Sequence, residues 1–283
     1  MKYFLLLAIL SLVPVLAAAE ILSEKLRAIE NETGGILGVA VLDTESQHLW
    51  HYNGDLRFPM MSTFKTLACA KMLHDHDKSL IDSATEYPVI KAELVVWSPI
   101  TKDLVGQSIS LFDACEATML TSDNTAANIA LKQIGGPPAV TQFLRTYGDP
   151  TTRIDRYEPE LNQAVAHDPR DTTTPKAMTE TLSTLLLGTT LSKTSAQQLK
   201  QWMQNNTISD ALLRSVLPSA WQIADRTGAG ENGSRGITAI IWNSSRPPII
   251  LSIYLTQTQL SLSERNAVIA EIGNAVFHHY HVQ

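Results

Sequence analysis

Hydrophobic and polar positions along this chain follow two different periods, and the change between them happens twice. Between Ile21 and Glu32 apolar residues recur at helical spacing, with Ile21, Leu22, Leu26 and Ile29 on one side and Gly34-Gly35 as the stop. Ile36 to Leu42 and His48 to Tyr52 are short apolar runs around Asp43-Thr44-Glu45-Ser46-Gln47, which predicts a β-hairpin. From Ser62 to about Leu217 the spacing is helical, punctuated by Tyr87-Pro88, Ser98-Pro99, Gly135-Gly136-Pro137-Pro138 and Gly148-Asp149-Pro150. Strand-like runs return at Trp221 to Ala224, Gly236 to Trp242 and Ile249 to Leu255. Ser261-Leu262-Ser263-Glu264 has the form of a capping box and opens a helix carrying Ile269, Ile272, Val276 and Phe277.

Strands at both ends with helices between them predict an α+β fold. One mainly antiparallel sheet is built from N- and C-terminal strands with flanking helices, and a helical part is inserted into it. We expect one domain over residues 20–283, with an α/β part at about 20–61 and 212–283 and a helical part at about 62–211. The seam between the two parts is a natural cleft.

Composition narrows the class of protein. At 283 residues the chain can bury a sizeable core, and 44% hydrophobic with 18% charged residues excludes disorder and coiled coil. A net charge of −6 with no Lys/Arg cluster argues against nucleic acid as a partner. Lys2, the apolar run Phe4 to Leu16 and Ala17-Ala18-Ala19 read as a secretory signal over residues 1–19, cut before Glu20. Its apolar core is too short to favour a membrane span, and no cysteine follows to take a lipid, so an exported protein without a membrane anchor is expected. Export makes a disulfide between the two cysteines, Cys69 and Cys115, plausible, the alternative being two inert buried thiols.

Candidate chemistry begins at Met60-Met61-Ser62-Thr63-Phe64-Lys65-Thr66. On a helix, S-x-x-K spacing brings hydroxyl and amine onto one face, roughly 5–6 Å apart at Cβ. A serine hydroxyl needs a neighbouring base to become a nucleophile, and a buried lysine can supply one. The plain alternative is a cap at Ser62 and a lysine reaching water. Ser122-Asp123-Asn124 lies between two helical runs, Glu158-Pro159-Glu160-Leu161-Asn162 lies between Arg156 and Asp171, and Asp225-Arg226-Thr227-Gly228-Ala229-Gly230 ends a strand. Each alone is explained by a turn or a cap.

In this order they form a specific set: S-x-x-K, then S-D-N, then a basic residue-Thr-Gly on a late strand. The chain resembles the class A serine β-lactamases along nearly all of its mature length. Within that family it is most similar to the carbenicillin-hydrolysing penicillinases, because Arg226 stands where most members have lysine. The resemblance implies hydrolysis of the β-lactam amide by a periplasmic, monomeric enzyme without cofactor or metal. It implies that Ser62 forms an acyl-enzyme, that the N–H groups of Ser62 and Ala229 form the oxyanion hole, and that Ser122 passes a proton to the departing nitrogen. Glu158 with Asn162 would hold the deacylating water, while Lys65 and Glu158 both remain open as the acylation base. An Arg156–Asp171 ion pair would tie the base of an Ω-loop, and Cys69 and Cys115 match the family's disulfide positions.

For the substrate, the resemblance implies a local positive pocket from Arg226, Thr227 and Arg235, along the strand that carries Gly228 and Ala229. Asn124 would bond the substrate's amide side chain, and Trp97 would line the rim or simply pack. A penicillin-binding peptidase or sensor that acylates without deacylating is the alternative, and the Glu158-x-x-x-Asn162 loop argues against it. Met61 and Gly230 stand where some carbapenem-hydrolysing relatives carry a cysteine pair, so that activity is not expected. His74-Asp75-His76-Asp77 and His278-His279-Tyr280-His281 could suggest a metal, but residues two apart on a helix diverge, which favours solvated helix ends.

Overall fold

The structure, a computed structural model, describes residues 20–283, so the secretory leader expected at 1–19 lies outside the described residues. Helix α1 covers residues 20–33 and stops where Gly34 takes a positive φ of 61°. The hairpin follows as β1 (Ile36–Asp43) and β2 (His48–Tyr52), paired antiparallel with Val41 opposite Trp50. A short β3 (Phe58–Pro59) and a 3-10 turn (Met61–Thr63) lead into α2 (Phe64–Asp77).

The helical part then runs through β4 (Glu86–Pro88), β5 (Ser108–Ser110), α3 (Leu111–Thr121), α4 (Asn124–Gln133) and α5 (Gly136–Thr146). After the loop that carries Glu158 come β6 (Thr172–Thr173), α6 (Pro175–Leu186) and α7 (Lys193–Gln204). The chain closes with β7 (Gln222–Ala229), β8 (Arg235–Trp242), β9 (Ile249–Thr256) and α8 (Leu262–His279).

The main sheet has five strands in the order β2-β1-β9-β8-β7, every adjacent pair antiparallel. Strand alternation sorts its side chains between two cores. Leu37, Val39, Val41, Ile237, Ala239, Leu251 and Ile253 pack with Leu22, Leu26 and Ile29 of α1 and with Ile269, Ile272, Val276 and Phe277 of α8. Ala224, Ile240, Ile250 and Tyr254 belong to the second core, which holds Phe64, Leu67, Met72, Met119, Leu182 and Trp202 from the helices.

Three local expectations need correction. Ile21 was placed on the buried side of α1 but is 67% exposed, because the helix turns Leu22 rather than its neighbour toward the sheet. The strand expected to end at Ala224 continues through Ala229, since full pairing with β8 from Gln222 opposite Trp242 to Ala229 opposite Arg235 outweighs the weak strand propensity of Asp225 to Ala229. Ser62 sits in the 3-10 turn that precedes α2 rather than in its first turn, and Met61 before it is left-handed with φ 49°. The capping box at Ser261 and Glu264 is present as expected.

Candidate active site

The two parts of the fold meet where β7, at the sheet edge, passes the turn at Ser62. A Cβ at Gly228 would stand 2.7 Å from the Ser62 nitrogen, so only glycine lets strand and turn approach this closely. Ser62 and Lys65 are buried, the lysine completely, which removes the reading in which Lys65 reaches water.

Lys65 Nζ donates to Ser122 O at 2.9 Å, to Ser122 Oγ at 3.0 Å and to Asn124 Oδ1 at 2.5 Å, and it faces Glu158 Oε1 at 3.2 Å. Ser122 Oγ donates to Ser62 Oγ at 3.1 Å. The amine therefore reaches the nucleophile through a second hydroxyl. Burial pushes Lys65 down to about 8; the Glu158 carboxylate opposes that shift and the Arg226 guanidinium adds to it.

Ser122 owes its position to a left-handed backbone, φ 64°, at the end of α3, a conformation that costs a serine of order 1–3 kcal/mol and turns its carbonyl toward Lys65. Asp123 then caps α4 by accepting from Ala126 N, and its other bonds, from Ile100 N, Thr101 N and Thr101 Oγ1, hold the preceding loop. Trp97 in that loop is 61% exposed, donates its indole N–H to Thr121 O and accepts from Asn124 N through its carbonyl. Asn124 itself is engaged at both ends of its amide, accepting from Lys65 and donating to Val96 O at 2.9 Å, so in this structure it works as a tie between lysine and rim.

Glu158 is 2% exposed. Its Oε2 accepts from Asn162 Nδ2, and Glu158 Oε1 and Asn162 Oδ1 are buried without a hydrogen-bond partner from the protein. The loop is gathered at its base by Arg156 Nε to Asp171 Oδ2 at 2.5 Å, and Asp171 Oδ1 accepts from the backbone N–H groups of Asp155 and Arg156. Met60 N donates to Asp171 O at 3.0 Å, which links the loop's base to the approach to Ser62. Sequence reasoning missed Asn128, whose amide clamps the Glu158 backbone on both sides, donating to Glu158 O at 2.8 Å and accepting from Glu158 N at 2.9 Å. Its signal was present: it lies one helical turn after Asn124, on the same face of α4.

The basic residues differ from expectation. Arg226, Thr227 and Arg235 are 0%, 1% and 6% exposed, so they line the cleft's wall from within rather than offering an open positive pocket. Arg226 Nη2 donates to Ser122 Oγ at 2.5 Å, while its Nε and Nη1 are buried without partners. Arg235 bonds Gly228 O at 2.9 Å and Asn266 Oδ1 at 2.8 Å. Burial pushes each guanidinium down to about 10, with the Arg265 charge adding to the shift at Arg235 and Asp225 pulling against it in both.

Cys69 and Cys115 form a disulfide between α2 and α3, their Cα atoms 5.7 Å apart. The histidine string on α2 is taken up otherwise. His74 bonds Tyr147 and Asp75, Asp75 also pairs with Lys71, and Asp77 accepts from Ser192, the N-cap of α7, and from Ser195.

A buried lysine of lowered basicity thus lies within hydrogen-bond reach of a bridging hydroxyl and a carboxylate, with a second serine hydroxyl beyond the bridge, a set suited to acyl transfer. The chain belongs to the beta-lactamase enzyme family, whose model matches residues 21–280. It is 52% identical over 257 residues to Beta-lactamase CARB-3 of Pseudomonas aeruginosa, covering 91% of this chain and 89% of that protein. Over 267 residues it is 42% identical to Beta-lactamase AER-1 of Aeromonas hydrophila, covering 93% and 88%. Among solved structures it matches the chromosome-encoded beta-lactamase of Vibrio parahaemolyticus with TM-score 0.90 and 53% identity, over 92% of this chain and 98% of that one. An ancestral class A beta-lactamase matches with TM-score 0.89 and 48% identity, over 91% and 99%. The chain is a class A serine β-lactamase.

Proposed function

We propose that this chain hydrolyses the β-lactam amide of penicillins, carboxypenicillins among them, through a Ser62 acyl-enzyme, and so confers antibiotic resistance. The observation that carries the proposal is Glu158: a carboxylate 2% exposed, its Oε1 facing Lys65 Nζ at 3.2 Å and its Oε2 accepting from Asn162 Nδ2. A protein that only acylates has no use for such a base.

In this reading Ser62 Oγ attacks the lactam carbonyl, and the neutral fraction of Lys65 takes its proton by way of Ser122. The developing oxyanion is met by the N–H groups of Ser62 and Ala229, each such donor contributing about 2.7–4 kcal/mol in comparable sites. Ser122 Oγ, already accepting from Lys65 and Arg226, gives its proton to the departing nitrogen as the C–N bond breaks, and Lys65 returns to Ser122 the proton it took from Ser62. Glu158 and Asn162 then hold a water between them; Glu158 takes one proton as the water oxygen adds to the ester carbonyl, and that proton is returned by way of Lys65 to Ser62 Oγ as the ester C–O bond breaks. The substrate's carboxylate is drawn by the charge of Arg226 and Arg235 from beneath the surface beside Thr227, with Trp97 beside its acyl side chain.

Substrates of this kind are small molecules, and the mature chain acts as a periplasmic monomer. No helix among the described residues is long and apolar enough to cross a membrane. Glu158→Ala is expected to stop turnover after one event, with the penicilloyl adduct on Ser62 accumulating in intact-protein mass spectra. Rapid, adduct-free turnover by that variant would remove Glu158 from the deacylation step.

A further inference from the structure

The loop that carries Glu158 is held at its base by Arg156 and Asp171 and at Glu158 by Asn128. Its far side faces the turn between β7 and β8, and three successive carbonyls of the loop point at that turn. Glu231 N donates to Asn162 O at 2.9 Å, and Asn232 Nδ2 donates to Gln163 O at 2.9 Å and to Ala164 O at 3.3 Å. We infer that Asn232 is a positioning residue for deacylation, a strap that fixes the Glu158–Asn162 pair relative to the strand bearing Ala229.

Each end of the strap has a fixed anchor. Asn232 is left-handed, φ 50°, a conformation that asparagine tolerates better than most side chains. Its own carbonyl accepts from Gln257 N at 2.8 Å, just beyond β9, and Ser234 N closes the turn on Glu231 O at 3.1 Å. The backbone of Asn232 thus belongs to the sheet while its carboxamide belongs to the loop. Gly233 must be glycine, since a Cβ there would fall 2.0 Å from Thr258 O. At the other end Gln163 Oε1 accepts from Arg156 Nη1 at 2.7 Å, so pulling on Gln163 also pulls on the ion pair that closes the loop.

The strap matters because the gap it sets is tight. A Cβ on Gly230 would stand 2.8 Å from Asn162 O, so turn and loop already touch there. The carboxamide is the side-chain contribution to this seam; without it, Asn162 and Gln163 lose their nearest fixed reference on the sheet, and the water-holding oxygens of Glu158 and Asn162 drift from the ester. Ser62 and Ser122 lie on other elements, and Lys65, though it faces Glu158 Oε1 at 3.2 Å, is also held by Ser122 and Asn124, so the strap bears on deacylation before acylation.

This inference rests on the assignment of Glu158 and Asn162 to deacylation, and the test separates the two. Asn232→Gly keeps the left-handed backbone and removes the carboxamide. Asn232→Asp keeps the size but sets a carboxylate against two carbonyl oxygens. With benzylpenicillin, slowed deacylation appears as kcat and KM falling together while kcat/KM holds. We expect a fall of about tenfold for the glycine variant and more for the aspartate, short of the roughly hundredfold that a 1 Å misplacement can cost. The steady-state acyl-enzyme fraction, read by quenched-flow mass spectrometry, rises in step, with melting temperatures near that of the unaltered protein. Unchanged kcat, KM and acyl fraction in both variants overturn the strap, as does a fall in kcat/KM at constant KM. Glu158→Ala run alongside decides the rest: adduct accumulation there with silent Asn232 variants sinks the strap alone, and continued turnover there sinks the deacylation assignment.

Discussion

At Ser122 a single hydroxyl accepts from Lys65 and Arg226 and donates to Ser62. Two cationic donors on one oxygen make its remaining proton easier to give away, which suits a group that must protonate a leaving nitrogen. Arg226 adds a fork to that arrangement. Its guanidinium bonds Ser122 through Nη2 and spreads its charge over two further buried nitrogens, where a lysine would act as a single point charge. We therefore expect kcat/KM for carbenicillin to exceed that for a cephalosporin, and Arg226→Lys to narrow the ratio; comparable values for the two substrates in the unaltered protein would count against this role. The letters of Ser62, Lys65, Ser122 and Arg226 were legible because their spacing is a joint signature. What they touch was not, because burial depends on which distant elements close over them. A charged residue followed by Thr-Gly reads as an exposed strand end until the strand is seen to lie against Ser62.

Among the elements, helix ends were the most readable and strand limits the least. A cap is written in a few adjacent residues, as at Ser261 and Glu264, whereas the reach of β7 was decided by its partner β8. Some caps are held from afar, which no local pattern betrays. Asp77, the last residue of α2, accepts from Ser192 N at 2.8 Å, Ser192 Oγ at 2.9 Å and Ser195 Oγ at 2.7 Å at the start of α7. Partial burial of Asp77 works to raise its pKa, but those hydrogen bonds prevail and hold it below the ordinary aspartate value. A depressed folded-state pKa means stabilisation that is present above the unfolded value and lost as pH falls through the folded one. Asp77→Ala should cost about 1 kcal/mol at neutral pH. In urea titrations the difference between the two proteins should shrink as pH falls from the unfolded aspartate value through the lower folded one. A difference that does not shrink would mean that Asp77 acts by packing.

For the whole molecule, the order of helices and strands was readable because the hydrophobic period changes where the architecture changes. The pairing of β1 with β9 followed only from having strands at both ends. The disulfide adds a covalent tie inside the helical part, across a sequence separation of 46. In the chain-entropy model a loop of that length stabilises by about 4 kcal/mol. Replacing both Cys69 and Cys115 by alanine should lower the unfolding free energy by up to that amount, while nitrocefin turnover by the folded fraction is unchanged; a variant as stable as the parent would show that the reduced chain loses little entropy.

The central position of β9 bears on biosynthesis. It is hydrogen-bonded to β1 from Ile36 opposite Thr256 to Asp43 opposite Ile249, and to β8 on its other side. A nascent polypeptide emerging from the ribosome has made its first strand long before the one that must lie beside it, so the sheet cannot close until β9 has been made. A premature stop codon shortly before Ile249 would not trim a tail; it would leave two open edges and no route to the native state.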